Sequence, residues 1–204
     1  MRRLVPAAVL LTMLAACGSA APTTAFPKPN AVAVGFCQDM SVHHEQAILM
    51  SQFALTHGTP TIRAIALSIL SSQSEDVGAM RGWLKLWGRS PIDPHPMAWM
   101  MPSMEGMSMQ AGNGSTWMPG MATPQQLVEL YQRTGKAFDI LFLQLMIRHH
   151  LAGIDMARYA IADHATPPVP DAARQMIASQ VEDIGIMRAL LATDGAHELA
   201  PPTM

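Results

Sequence analysis

The sequence is poor in cysteine, in aromatic residues and in charged residues. It contains two cysteines, 5% aromatic residues and 14% charged residues, with a formal net charge of −2. Two cysteines cannot build a disulfide scaffold, and Cys17 has another predicted role, which leaves Cys37 unpaired. No basic stretch is present, so a nucleic-acid partner is excluded.

The sequence also lacks an apolar run of the roughly 20 residues that a spanning helix needs. Arg2 and Arg3 are followed by a short apolar segment, Leu4 to Leu14, and then by the lipobox Leu14-Ala15-Ala16-Cys17. We therefore expect residues 1–17 to be a lipoprotein signal peptide. The chain would be exported and anchored to the cell-envelope membrane by lipid on Cys17, with residues 18–30 as a flexible tether.

An internal duplication organises the rest of the chain. Residues 36–50 (FCQDMSVHHEQAILM) align without gaps with 142–156 (FLQLMIRHHLAGIDM), and 72–81 align with 179–188 at seven of ten positions. Repetition at nearly one offset indicates two copies of one structural unit. We expect a helical domain over 31–194, with repeats at 31–88 and 123–194, a crossover at 89–122 and a tail at 195–204.

Each repeat reads as a pair of helices. Apolar periodicity predicts helices over about 31–56, 59–87, 123–163 and 171–193. Gly58 is expected as a left-handed stop, and Thr123-Pro124 with Gln126 as a capping box. Nothing reads as a strand. The predicted fold is all-α: an antiparallel four-helix bundle with a long crossover.

Histidines and methionines share one face of the first helix in each repeat. Met40, His43 and Met50 form a stripe with His44 on its flank, and the second copy repeats this arrangement. An antiparallel hairpin brings Gln73, Asp76 and Met80, and their counterparts Gln180, Asp183 and Met187, to the same level. The predicted metal ligands are His43, His44, Met40, Met50, Met80, His149, His150, Met146, Met156 and Met187. Buried histidines within a methionine-filled core are the alternative interpretation.

The crossover carries a second set of soft donors among glycine, proline and serine. Thioethers select Cu(I) and have no proton to lose. We expect a separate and weaker metal-capturing arm that passes Cu(I) to the helices; a disordered linker or an apolar contact surface are the alternatives. Its candidate ligands are His95, Met97, Met100, Met101, Met104, Met107, Met109, Met118 and Met121.

These residues resemble a known family. The doubled His-His motif (His43, His44 and His149, His150) and the Gln73…Met80-x-x-Trp-Leu pattern are similar to the ferritin-like domain-of-unknown-function family three hundred and five. The resemblance covers roughly residues 34–191. It implies a ferritin-like four-helix fold, an exported location and, in some members, copper or silver binding in metal tolerance.

Three function classes remain open on the sequence. The favoured one is a protein without catalytic turnover that binds Cu(I) or Ag(I) for sequestration or transfer, with a copper donor or acceptor protein as partner. A ferritin-like di-iron enzyme would need inward glutamates and Glu-x-x-His motifs, and no glutamate stands three residues before a helical histidine. The third is a structural or interaction lipoprotein without metal.

The lipobox generates a direct prediction. Replacing Cys17 with alanine removes the thiol that carries the lipid, so the protein should appear as a soluble or unprocessed precursor. Fractionation of cells that express either form measures this, and equal retention of the mutant in membranes would contradict the lipobox.

Overall fold

In a computed structural model, the protein is described for residues 26–100 and 118–199. Over these two ranges it is all-helical and no strand occurs, which confirms the all-α prediction. The helices are α1 (Ala31–His57), α2 (Pro60–Leu86), α3 (Pro124–Gln132), α4 (Gly135–Ala162) and α5 (Val169–Thr193), with a 3-10 turn at Ala98–Met100. The candidate residues outside the described ranges are Cys17, Met101, Met104, Met107 and Met109.

The four long helices form two hairpins that meet along their first helices. α1 packs against α2, α4 packs against α5, and α1 packs against α4, whereas α2 and α5 touch each other only slightly. α1 and α4 are therefore central and are buried on nearly all sides. In the described part of the chain, no helix is long and apolar enough to cross a membrane.

Two apolar clusters fill the core. The Met40 cluster includes Phe36, Cys37, Met40, Met80 and Met156, and the Met146 cluster includes Met50, Phe138, Phe142, Met146 and Met187. Each cluster draws its methionines from both repeats, because α1 and α4 run in opposite directions. His43 and His149 belong to neither cluster and lie between them along these two helices.

The prediction of one continuous third helix is wrong, because the structure divides it into α3 and α4. A capping box formed by Thr123 and Gln126 begins α3 as expected, but Arg133 and Thr134 are extended and α4 starts at Gly135 with φ of +56°. The break lets α3 pack against α1 as well as α4. Leu130 of α3 is buried in this arrangement, and tertiary packing of this kind overrides the local tendency of a helix to continue.

The turn between α1 and α2 also differs from expectation. Gly58 is extended, with φ of −77°, so it is not a left-handed stop. Glycine fits there because a Cβ would lie 2.8 Å from the carbonyl oxygen of Ala54. Pro60 does open α2, as predicted, and Gly88 after α2 has the left-handed φ of +63°. α5 starts at Val169 rather than Asp171, with Pro170 tolerated in its first turn.

Asp39 anchors the start of the crossover to α1. Its buried Oδ2 accepts hydrogen bonds from the Met97 amide at 2.6 Å and from Trp99 Nε1 at 2.8 Å. Trp99 then lies against Gly35, where a Cβ would come within 2.4 Å of the indole. Burial raises the pKa of Asp39 to about 6, and the two hydrogen bonds only partly oppose this shift.

The raised pKa makes the effect of Asp39 on stability depend on pH. A carboxyl whose pKa rises from 3.8 unfolded to about 6 folded is most favourable below pH 4, and stability is lost as the pH rises to 6. Asp39→Asn removes this loss, which amounts to about 3 kcal/mol for two pKa units. In urea unfolding, the stability of the variant relative to wild type should therefore rise between pH 4 and pH 7; a difference that does not change with pH would contradict the assignment.

Candidate metal centre

A pair of stacked imidazoles marks the centre of the α1–α4 interface. The rings of His43 and His149 have centroids 3.7 Å apart and are inclined by 28°. His149 Nε2 lies 2.9 Å from the carbonyl oxygen of His43 and donates to it. The flanking residues His44 and His150 are equally buried. The duplicated motif thus forms one continuous layer across both repeats.

Carboxylates on the neighbouring helices orient the flanking histidines. His44 Nε2 lies 3.3 Å from Asp76 Oδ2 on α2, and His150 Nε2 lies 3.4 Å from Asp183 Oδ2 on α5. A carboxylate accepts, so each Nε2 carries the proton and each Nδ1 of the neutral ring presents a lone pair. A carboxylate behind the far nitrogen is the usual support of a metal-binding histidine.

The layer contains more buried polar atoms than it satisfies. Among the described residues, seven of these atoms have no hydrogen-bond partner. Six recur in both halves, namely Nδ1 of His43, His44, His149 and His150 and Oε1 of Gln73 and Gln180, and the seventh is Nε2 of His43. An unsatisfied buried polar atom costs about 1–3 kcal/mol. Unpartnered donor atoms concentrated in one layer of the core are typical of a binding site.

Three of the four imidazoles are held in their neutral, ligating form. Burial, with repulsion from neighbouring imidazoles, lowers the pKa of His43 to about 3. The Pro119 carbonyl favours protonation of His43, but it does not reach hydrogen-bond geometry with either ring nitrogen. Burial also lowers the pKa of His149, and that of His44 in spite of Asp76. Neutral imidazole is the form that binds metals.

Gly153 leaves room for the side-chain amide of Gln180 beside the histidine layer. A Cβ at Gly153 would lie 2.8 Å from Gln180 Oε1 and 3.4 Å from His43 Cε1. The amide oxygen and the imidazole therefore face each other across the glycine. This residue replaces Ala47 of the first repeat, so the second repeat is more open at this level.

The predicted thioether ligands divide between the two sides of the layer. Met40, Met80 and Met156 lie in the Met40 cluster, and their counterparts Met146, Met187 and Met50 lie in the Met146 cluster. All six are fully or almost fully buried. Thioether sulfur therefore lies in the core on both sides of the histidines.

The described ends of the crossover pack against the helices, and the separate metal-capturing arm stays a prediction for the crossover as a whole. Met97 and Met118 are buried in the Met40 cluster, and Met100 and Met121 are half-buried against it. His95 is exposed and its amide bonds Asp93. The described crossover residues therefore add thioethers to one side of the histidine layer.

The donor set favours a soft metal. Within residues 26–100 and 118–199, no three His, Cys, Asp or Glu side chains come together in an arrangement that could hold a metal ion. Binding here would need thioether or amide ligands beside imidazole, and thioethers favour Cu(I) over hard cations. The residues present fit Cu(I) or Ag(I) better than a carboxylate-bound iron pair.

The fold and the site define a class: an all-helical domain, built from a duplicated helical hairpin, with a histidine layer buried between its halves. The chain belongs to the DUF305 family, a domain of unknown function whose model matches residues 33–191. None of the curated proteins matches it.

Solved structures support the same fold. A DUF305 protein from Streptomyces coelicolor, described as secreted, is 34% identical with a TM-score of 0.74, over 84% of this chain and 98% of that one. A DUF305 fragment from Deinococcus radiodurans is 29% identical with a TM-score of 0.66, over 82% and 99%. CopM in its Cu(I)-bound form is 22% identical with a TM-score of 0.59, over 79% and 96%, which shows the fold alone.

Sequence reasoning assigned no role to two buried polar residues of α1 beside the layer. At the end of the crossover, Gln46 donates to the Ala122 carbonyl at 2.9 Å and accepts from the Ala122 amide at 2.6 Å. Asp39 accepts from the Met97 amide nearer its start. The repeat alignment held the signal, because Gln46 and Asp39 correspond to the apolar residues Ala152 and Leu145. A polar residue where the other copy is apolar marks a contact that only one copy makes.

The lowered histidine pKa values predict acid sensitivity of the metal-free protein. Below pH 6.5 the histidines of the unfolded chain bind protons, whereas the buried histidines of the folded layer do not. The free energy of unfolding therefore falls as the pH drops toward the folded pKa values. The His43→Leu/His149→Leu variant should lose less stability between pH 7 and pH 4. Urea unfolding with a chelator present measures this, and parallel losses would show that these rings are not buried in neutral form.

Proposed function

We propose that this protein binds Cu(I), or Ag(I) in its place, at the histidine layer and sequesters or transfers the ion without catalytic turnover. The observation that carries the proposal is the set of buried, unpartnered lone pairs in the layer. Three of the four histidines hold their Nε2 proton against a protein acceptor, which leaves Nδ1 free. Metal binding would use these lone pairs and offset the cost of burying them.

Thioether sulfur supports the choice of ion. Buried methionines flank the layer on both sides, and they have no proton that competes with the metal. Asp76 and Asp183 lie behind the histidines as orienting groups, and this differs from the inward glutamates of a di-iron site. The proposed ligands are those predicted from the sequence: the four histidines with Met40, Met50, Met80, Met146, Met156 and Met187.

The relatives point in the same direction. CopM, which shares the fold, has been solved in Cu(I)-, Cu(II)- and Ag-bound forms. The Streptomyces coelicolor relative is described as secreted, which supports an extracytoplasmic location. We further propose a lipid anchor on Cys17, a copper donor or acceptor protein as partner, and a ferritin-like four-helix bundle as the arrangement of the long helices.

Metal competition tests the proposal. The purified protein should bind Cu(I) and Ag(I) more tightly than Zn(II) in titrations against chromogenic chelators. His43→Leu/His149→Leu should weaken the tightest sites by more than the ~10–100-fold typical of changes outside the ligand shell, with helicity retained. A double variant outside the layer, His164→Asn/His197→Leu, is the matched control.

The proposal has a clear contrary outcome. Tighter binding of Zn(II) than of Cu(I), or full Cu(I) content in the layer variant, would reject a soft-metal site. Unchanged Cu(I) content together with a collapsed melting transition would identify the histidines as packing residues.

A further inference from the structure

The last described segment of the crossover crosses the histidine layer. Residues Met118–Ala122, here called the strap, run from the Met40 cluster to the start of α3. Gly120 in the strap has φ of +78°, and a Cβ there would lie 3.3 Å from His149 Cα and 2.4 Å from the Ala152 Cβ. The neighbouring Pro119 carbonyl lies beside the His43 ring. The strap therefore contacts both helices where their histidines stack.

Polar side chains from both helices hold the strap in place. Gln46 bonds both the amide and the carbonyl of Ala122, and Arg148 Nη2 donates to the Met121 carbonyl at 3.3 Å. Gln46 is one turn after His43 on α1, on the same face. The paired hydrogen bonds fix the position of the strap along α1 relative to the imidazole.

The second repeat is shaped to receive the strap rather than to bind one of its own. Ala152, the counterpart of Gln46, leaves the space that Gly120 occupies, and any larger side chain there would meet the strap backbone. The described residues contain one such strap, so the two sides of the layer differ there. Met118 is 6% exposed and joins Met40, Met80 and Met156, whereas the Met146 cluster receives no methionine from the described crossover residues.

We infer that Met118 is a thioether ligand of the same metal centre as His43 and His149, and that Gln46 is the positioning residue that holds it there. The inference rests on the proposed function and adds a ligand from the crossover to the proposed site. The described end of the crossover belongs to the helical centre, so capture and retention take place at one site. The Met40 side of the layer is then the tighter Cu(I) site.

The experiment compares two buried glutamines of α1 that hold different parts of the crossover. Gln46 and Gln38 both lie on α1, are 7% exposed and donate to crossover carbonyls, but Gln38 bonds Ser90 and Ile92, away from the layer. Gln46→Leu should weaken the first Cu(I) equivalent by about 10–100-fold, and Gln38→Leu should leave it unchanged. Thermal unfolding of the metal-free proteins should change to a similar extent in both.

Sulfur counting separates a positioning role from a structural one. X-ray absorption of wild type with one Cu(I) equivalent should show a sulfur neighbour that is lost in both Gln46→Leu and Met118→Leu but kept in Met121→Leu. Met118→Leu preserves volume and so keeps the test valid if Gln46→Leu folds poorly.

The possible results are distinguishable. Wild type that binds Cu(I), with equal affinity and sulfur count in Gln46→Leu and Met118→Leu, overturns this inference and leaves the proposed function standing. Equal weakening by Gln38→Leu and Gln46→Leu also overturns it, because general loosening of the crossover would then suffice. Wild type that binds no Cu(I) removes both proposals.

Discussion

The stacking of two neutral imidazoles at the α1–α4 interface is the constraint on which the rest of this structure depends. Burying polar atoms without partners is costly, and here the cost recurs in both repeats. Apolar clusters on either side stabilise the helices that carry the layer. The protein therefore holds these lone pairs in fixed positions, which would lower the ordering entropy lost by a ligand that binds them.

The protonation states of the buried groups follow from the same burial. Exclusion of water keeps His43, His44 and His149 uncharged. Asp76 and Asp183 at the edge of the layer fix the ring orientation of His44 and His150. The same exclusion raises the pKa of the Cys37 thiol to about 12, so the thiol stays protonated in the metal-free protein. At neutral pH the centre presents uncharged lone pairs and polarisable sulfur, which suits a soft cation better than a hard one.

The two repeats have equivalent helices, but the described crossover residues bond polar side chains of α1 that α4 lacks. Asp39 and Gln46, one turn on either side of His43, bond Met97 and Ala122 of the crossover. Their counterparts in α4 are Leu145 and Ala152, which pack without polar contacts to the crossover. The burial of Met97 and Met118 also bears on the alternative of an adhesive surface, because at these two positions the methionines face the core rather than solvent.

The sequence by itself determined the repeats, the helical class and the residues of the layer. Periodicity and duplication are local properties of the chain, and the hairpin register that sets His44 level with Asp76 follows from counting residues on either side of a short turn. The interruption at Arg133–Thr134 and the stacking of His43 on His149 were decided by the tertiary structure alone. They depend on how α1 meets α4 and how α3 folds back, and such packing outweighs local propensity. The anchoring of the crossover by Asp39 and Gln46 belongs with them, since it joins residues 58 and 76 positions apart, and no periodic pattern spans that separation.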